Sequence, residues 1–380
     1  MTYIHEIPEW PILKWDDAKL LPLLADVRHR QGRLLGRMEG LGFQIRAEAS
    51  LTTLTADIIK SSAIEGQHLD AEQVRSSIAR RLGLDFGGAA PASRDVEGVV
   101  EMMLDATKKY NEPLTAERLF AWHASLFPTG RSGMQRITVG AWRPAEAGTM
   151  QVISGPIGKE QVHFEAPSAD RLDHEMAVFL EWFGAQNGVD PVLKAGIVHF
   201  WFVTIHPFED GNGRIGRAIA DMALARAEGT PERFYSMSAQ IEAERKQYYL
   251  SLEHSQKGGL DVTSWLVWFL DCLGRAVDGA ADSLATVLQK AKIWERINQA
   301  WVNERQRLVI NSLLDGFEGK LSTSKYAKLA KCSPDTALRD IKLLLDNGIL
   351  VQEEGGGRNT SYRLIDPVIG ISAHPPELNG

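Results

Sequence analysis

Ile205-His206-Pro207-Phe208-Glu209-Asp210-Gly211-Asn212-Gly213-Arg214-Ile215-Gly216-Arg217 decides how this 380-residue chain is read. The apolar run Pro191–Ile205 predicts a helix that stops at His206-Pro207, because a residue before proline is pushed out of the helical region. A second helix is expected from Gly213. The loop between them contains two glycines, so its backbone can curl and turn N–H groups inward. Bare N–H groups leading into a helix N-terminus make an anion site. Arg214 and Arg217, three residues apart, share a helix face and can both reach that anion. Asp210 is a hard oxygen ligand of the kind that holds Mg²⁺ together with substrate phosphates. His206 is within reach as a base, with an ordinary pKa of about 6.5. Together these are the parts for moving a phosphate-containing group.

Taken singly, each feature has a plain explanation: a helix end, a turn, a solvated pair of arginines. Their concentration in one short segment is what counts. An alternative set of metal ligands, His199, His206 and Asp210, leaves the glycines and arginines without a role. Neither the Walker pattern nor the Rossmann glycine fingerprint is present, so the phosphate site is of another kind.

Composition narrows the classes around this segment. Hydrophobic residues are 44% and charged residues 24%, which excludes a disordered or fibrous chain. The formal net charge of -7 argues against general polyanion binding. Cys272 and Cys332 are the two cysteines, too few for a disulfide scaffold or a four-cysteine zinc site. No apolar run approaches a membrane span, and MTYIHEIPEWP does not read as an export signal. The expectation is a cytoplasmic protein without membrane contact.

Outward from the segment, helices are expected over Asp16–Arg46, Leu51–Ile64 and from Asp70 to just before Gly83, then a Gly/Ala/Pro linker at Gly83–Ser93. Further helices are expected from Arg94 to Lys109 and after Thr115, an N-cap. Met150–Ile153 and Gln161–Phe164 read as a hairpin around a Ser154–Gly158 turn. Helical spacing returns at Ser168–Phe183, Pro191–Ile205, Gly213–Ala227, Ser238–His254 and Val262–Leu284. The block 305–364 reads as three helices and a hairpin, a winged helix-turn-helix. Its 10 basic residues against 7 acidic make it net +3.

The segment resembles the signature of the Fic family, HxFx(D/E)GNGRxxR, at His206, Phe208, Asp210, Gly211, Asn212, Gly213, Arg214 and Arg217. Leu114-Thr115 through His123 resembles the early core helix of that family, and Tyr248, Tyr249 and Leu252 the helix after the signature. The resemblance implies an all-α fold: a Fic helical core with a β-hairpin flap, an N-terminal helical domain and a C-terminal winged helix-turn-helix. The implied division is 1–85, 94–285, a connecting helix 286–304, 305–368 and a tail 369–380. It also implies AMP transfer from ATP to a Ser, Thr or Tyr hydroxyl of a target protein, with Mg²⁺ on Asp210 and His206 as base. Gly211, Asn212 and Gly213 would form the anion hole. Arg214 and Arg217 would hold the β- and γ-phosphates, and Phe208 would anchor the loop in the core. Val152, Ile153, Ser154 and Gly155 would line the nucleotide and present the target as an added strand. Tyr248 and Tyr249 would lie on the adenosine side, with Gln256 where some relatives have Asn. A homodimer is implied as well.

Ser61-Ser62-Ala63-Ile64-Glu65-Gly66 matches the inhibitory pattern of that family, (S/T)xxxE(G/N). Ser61 and Glu65 share a helix face, and the implied role of Glu65 is an ion pair with Arg217. Helix 334–347 carries Arg339 and Lys342 but also Asp335, Asp340 and Asp346, so DNA binding and protein docking through 305–364 both stay open. Two competing readings are a DNA-binding regulator with the core as a nucleotide sensor, and a related enzyme that uses another nucleotide or removes AMP.

Overall fold

The structure, a computed structural model, describes residues 2–84, 91–154, 161–284, 287, 294, 302–314, 317, 319–353 and 360–365. The expected 83–93 linker, the flap turn with Gly155, the connecting helix 286–304 and the tail therefore lie wholly or mostly outside the described residues. The chain forms two compact units, Met1–Asp282 and Ser283–Gly380.

The first unit is mainly helical. Helix α1 (Asp17–Glu39) is capped by Asp16, which accepts the Lys19 N–H. The expected run to Arg46 breaks at Gly40-Leu41-Gly42: Gly40 ends α1, and Gly42 is extended and starts α2 (Phe43–Ile64). Helix α2 therefore begins well before Leu51 and is 22 residues long. Helices α3 (Ala71–Arg81), α4 (Arg94–Lys108) and α5 (Ala116–Leu126) are capped by Asp70, Ser93 and Thr115. Helices α4 and α5 approach backbone to backbone at Gly98, where a Cβ would lie 1.7 Å from the Ser125 carbonyl oxygen.

Helix α6 (Leu172–Gly184) leads to α7 (Pro191–Ile205), which is buried along most of its length, as expected of a helix that is apolar on every face. Helix α8 (Asn212–Glu228) packs on α7. A Cβ on Gly216 would lie 2.9 Å from Val203 Cγ1, so glycine sets that close approach. The expected helix Ser238–His254 is two helices, α9 (Met237–Ala243) and α10 (Arg245–Gln256). They meet at Glu244, whose carboxylate is held by Arg275 of α11 (Thr263–Ser283) at 2.6 and 2.7 Å. Glu244 itself, at φ -109° and ψ 26°, leaves the helical region there.

Strands β1 (Arg131–Ser132) and β2 (Gln135–Arg136) form a small hairpin. Strands β3 (Gln151–Ser154) and β4 (Gln161–Glu165) are antiparallel, pairing Val152 with Phe164 and Ile153 with Val162, with a bulge between Val152 and Ile153. The Phe164 end is buried against Tyr3 and His5. The N-terminal residues are sewn to the core by two backbone hydrogen bonds of 2.8 Å through Lys14. No helix among the described residues is long and apolar enough to cross a membrane.

The second unit contains α12 (Glu304–Leu314), α13 (Thr323–Leu329), α14 (Pro334–Asp346) and the antiparallel pair β5 (Leu350–Gln352) and β6 (Tyr362–Leu364). Val309, Ile310, Tyr326, Ile341, Leu344 and Leu350 form its core. Asp340 faces inward rather than outward on α14, held by Arg305, Asn303 and the Tyr326 hydroxyl.

Candidate active site

The loop between α7 and α8 is built by its own side chains. Asn212 closes a ring on Phe208, accepting its N–H at 2.9 Å and donating to its carbonyl at 2.8 Å. Phe208 is fully buried and stacks flat on His123 at 4.2 Å. His123 Nδ1 accepts the Gly140 N–H, so Nε2 carries the proton and donates to the Asp210 carbonyl at 3.2 Å. Burial pushes His123 down to about 4, which keeps it neutral. Gly211 is left-handed, φ 83°, a conformation that favours glycine.

His206 ends α7 in a left-handed conformation, φ 53°, ψ 57°. Its Nδ1 lies 3.2 Å from the Val203 carbonyl. A carbonyl can only accept, so Nδ1 carries the hydrogen and Nε2 keeps a basic lone pair. Burial lowers the His206 pKa, and the nearby Arg143 cation lowers it further. The Asp210 carboxylate accepts the Ser132 hydroxyl and the Gly211 N–H at the loop mouth. These oxygens suit one-carboxylate Mg²⁺ binding completed by substrate phosphates. Among the described residues no group of three or more His, Cys, Asp and Glu side chains is placed to hold a metal. The alternative three-ligand set fails, because His199 is buried, stacked on Trp265 and bonded to the Tyr248 hydroxyl at 3.0 Å.

Arg217 is almost fully buried. Its Nε donates to Ser61 Oγ at 2.9 Å, and Nη2 donates to the Ser61 carbonyl and to Glu65 Oε1, both at 2.8 Å. Burial disfavours the cation, but Glu65 together with Tyr248 and Tyr249 more than offsets it and the Arg217 pKa rises. A Cβ on Gly213 would lie 2.0 Å from Glu65 Oε1. The carboxylate therefore rests on the first turn of α8, where an anion is favoured.

Gln67 was missed at the sequence level. Gly66, at φ 80°, turns the chain past the end of α2, and Gln67 Oε1 accepts from Arg214 Nη1 at 2.8 Å. Arg214 also lies over the Phe127 ring. The segment after α2 thus engages both signature arginines. Helix α2 is further tied down by Asp57, which accepts from the Ser236 hydroxyl and the Ser238 N–H. Asp57 also lies beside Asp221 of α8, whose pKa is raised by burial and then by the Asp57 charge. Buried Ser50, Thr53, Asp57, Ser61 and Ser62 along α2 were the available signal, since an ordinary core stripe is apolar.

Tyr248 and Tyr249 both lie close enough to Arg217 and Glu65 to interact with them electrostatically. Tyr248 is buried and Tyr249 is at the surface. Gln256 is buried and donates to Thr204 Oγ1 at 3.2 Å. Val152 is half-buried, while Ile153 and Ser154 are exposed. The Ser154 hydroxyl contacts His163, which contacts Glu253 of α10, so the hairpin is pinned to that helix.

A half-buried histidine with no hydrogen-bond partner at Nε2 among the described residues, beside a helix N-terminus that carries two glycines and two arginines, suits a phosphate-bearing ligand. Residues 113–224, which include the whole segment from His206 to Arg217, match the Fic/DOC family model. Residues 3–84 match a domain of unknown function, DUF4172. The chain is 25% identical over 252 residues to a protein adenylyltransferase fic-1 of Caenorhabditis briggsae, covering 66% of this chain and 45% of that one. It is 28% identical over 224 residues to a protein adenylyltransferase Fic of Culex quinquefasciatus, covering 58% and 40%. The chain thus spans less than half the length of these two relatives. A crystal structure of a Fic family protein from Desulfovibrio desulfuricans has the same fold, with a TM-score of 0.55 at 22% identity, covering 91% of this chain and 96% of that one.

Proposed function

We propose that this protein transfers AMP from ATP to a hydroxyl of a target protein and that Glu65 holds the site inhibited. The observation that carries the reading is the Nε2 of His206, left as the basic nitrogen by the Nδ1 contact to Val203, beside the glycine-lined N-terminus of α8. His206 Nε2 takes the proton of a Ser, Thr or Tyr hydroxyl as its oxygen attacks the α-phosphorus, and the bond to pyrophosphate breaks. The N–H groups of Asn212 and Gly213 and the cations Arg214 and Arg217 receive the charge of the leaving phosphates, while the Gly211 N–H holds the Asp210 carboxylate. Asp210 is the residue to hold Mg²⁺, which neutralises phosphate charge. Val152–Gly155 presents the target as an added strand, and Tyr248 and Tyr249 form the adenosine side. Incubation with ATP labelled at the α- or the γ-phosphorus tests this: label from the α position alone, lost with EDTA, supports it. Label from the γ position, or faster use of another nucleoside triphosphate, overturns it, and release of label from a modified protein marks the AMP-removing alternative.

Gln67 extends the inhibition. With Arg214 released, the Gln67→Ala protein should bind ATP about tenfold more tightly, the low end of the roughly 1.5–3 kcal/mol of one hydrogen bond to a charged group. Isothermal titration reads this directly, and an unchanged dissociation constant removes Gln67 from the inhibitory contact.

The resemblance also supports a homodimer, and the sparse cysteine usage fits a reducing cytoplasm. Three helices followed by an antiparallel strand pair support the winged-helix reading of 305–364. With Asp340 turned inward, Arg339 and Lys342 are opposed on α14 by Asp335 and Asp346, which leaves a weak, salt-sensitive DNA contact as the form that binding would take. A gel shift that persists unchanged at high salt contradicts it.

A further inference from the structure

Resting on that reading, we propose that Arg143 is the positioning residue for His206, holding the His206-Pro207 backbone in the left-handed turn that places the imidazole beside the α8 anion site. Arg143 lies between the early core helices and the flap, outside the signature segment. Its Nε donates to the His206 carbonyl at 2.9 Å, and its backbone N–H donates to the next carbonyl, that of Pro207, also at 2.9 Å. Its Nη2 donates to the Pro167 carbonyl. One residue thereby fixes two consecutive carbonyls after α7.

That turn needs an external hold. His206 has φ 53°, a conformation rare for residues other than glycine, and it precedes a proline, which disfavours helical values of either hand. Such a conformation persists only where the surroundings over-determine it. Around His206 the N-terminal side is held by α7, through the bond from its N–H to the Phe202 carbonyl. The C-terminal side is held by Arg143. The ring is then oriented by its Nδ1–H on Val203.

Charge supports the same assignment. Arg143 is buried and has no carboxylate partner among the described residues, its bonds going to backbone carbonyls. Burial lowers its pKa to about 10, which still leaves it charged at neutral pH. A cation kept there without an acid disfavours a second positive charge on His206. The other charges acting on His206 are Glu65, at the end of α2, and Asp210, in the loop, and both favour protonation. Arg143 opposes them and keeps Nε2 available as a base.

The test uses the full chain in the Glu65→Gly background, comparing Arg143→Met and Arg143→Lys. For Arg143→Met, kcat should fall about 100-fold, the scale of a misplaced catalytic group, while the ATP dissociation constant stays within about twofold. Arg143→Lys, which keeps the cation and one donor, should recover part of kcat. Ring-nitrogen NMR of His206, above its pKa and without nucleotide, should show one Nδ1–H tautomer in the parent and a mixture in Arg143→Met. This signal needs no turnover, so it tests Arg143 even if AMP transfer proves the wrong reaction. An unchanged kcat and an unchanged ring signal in a folded Arg143→Met protein overturn the proposal. So does a loss of kcat matched by an equal loss of ATP binding. If Arg143→Met melts below the assay temperature, Arg143→Lys carries the same two measurements, and parent values in it with the forked bonds lost count against the proposal.

Discussion

The Glu65→Gly protein should label itself with α-labelled ATP about tenfold faster than the parent, or more. Two effects add. The carboxylate is paired with Arg217 at 2.8 Å and rests against Gly213, so it occupies the first turn of α8 physically as well as electrostatically. A charge pair at about 4 Å in an effective dielectric near 20 is on the order of 4 kcal/mol before desolvation costs. Glu65 is about one third exposed, so solvent screens much of that. Even roughly 1.4 kcal/mol surviving is tenfold in productive ATP binding. The helix itself loses little, because Glu65 is the C-cap of α2, but the buried Arg217 loses its carboxylate partner and keeps only its bonds to Ser61, so a thermal melt accompanies the labelling assay. The double variant Glu65→Gly with Arg217→Ala should stay inactive, since the released arginine is then absent. Unchanged or slower labelling by a folded Glu65→Gly protein would falsify the inhibitory role and leave Glu65 structural or part of an AMP-removing site.

In the same background, His206→Ala should lower transfer by roughly 10²–10⁴-fold, the usual contribution of a general base. ATP binding should persist, because the anion-site N–H groups and arginines belong to α8 and its entry. Rapid-quench rates with a parallel binding titration separate the two quantities. Retention of full transfer by purified His206→Ala removes the mechanism. The pH profile carries a sign as well. Burial, with Arg143 behind it, lowers the His206 pKa, and the base works unprotonated. Activity should therefore fall only as pH drops through a value below the ordinary histidine pKa of about 6.5. An acid limb above that value contradicts the environment described for His206.

Local chemistry was enough to read much of this from the chain alone. The helix stop at His206-Pro207, the glycine loop and the arginine spacing are consequences of neighbours within one turn, and the cap at Thr115 is equally local. The β3–β4 pairing was legible because both strands flank one turn region. What the tertiary structure alone decided depends on residues far apart in sequence. Gln67 meets Arg214 across 147 positions and Asp57 meets Ser236 across 179, and no periodicity encodes such meetings. The break at Glu244, whose backbone leaves the helical region, has no glycine or proline beside it to mark it in the sequence. The inward turn of Asp340 follows from Arg305 and Tyr326. Arg143 shows the same limit: nothing around it in sequence marks it, because its function lies in two carbonyls more than sixty residues away, reachable only once α7 has ended in a left-handed histidine.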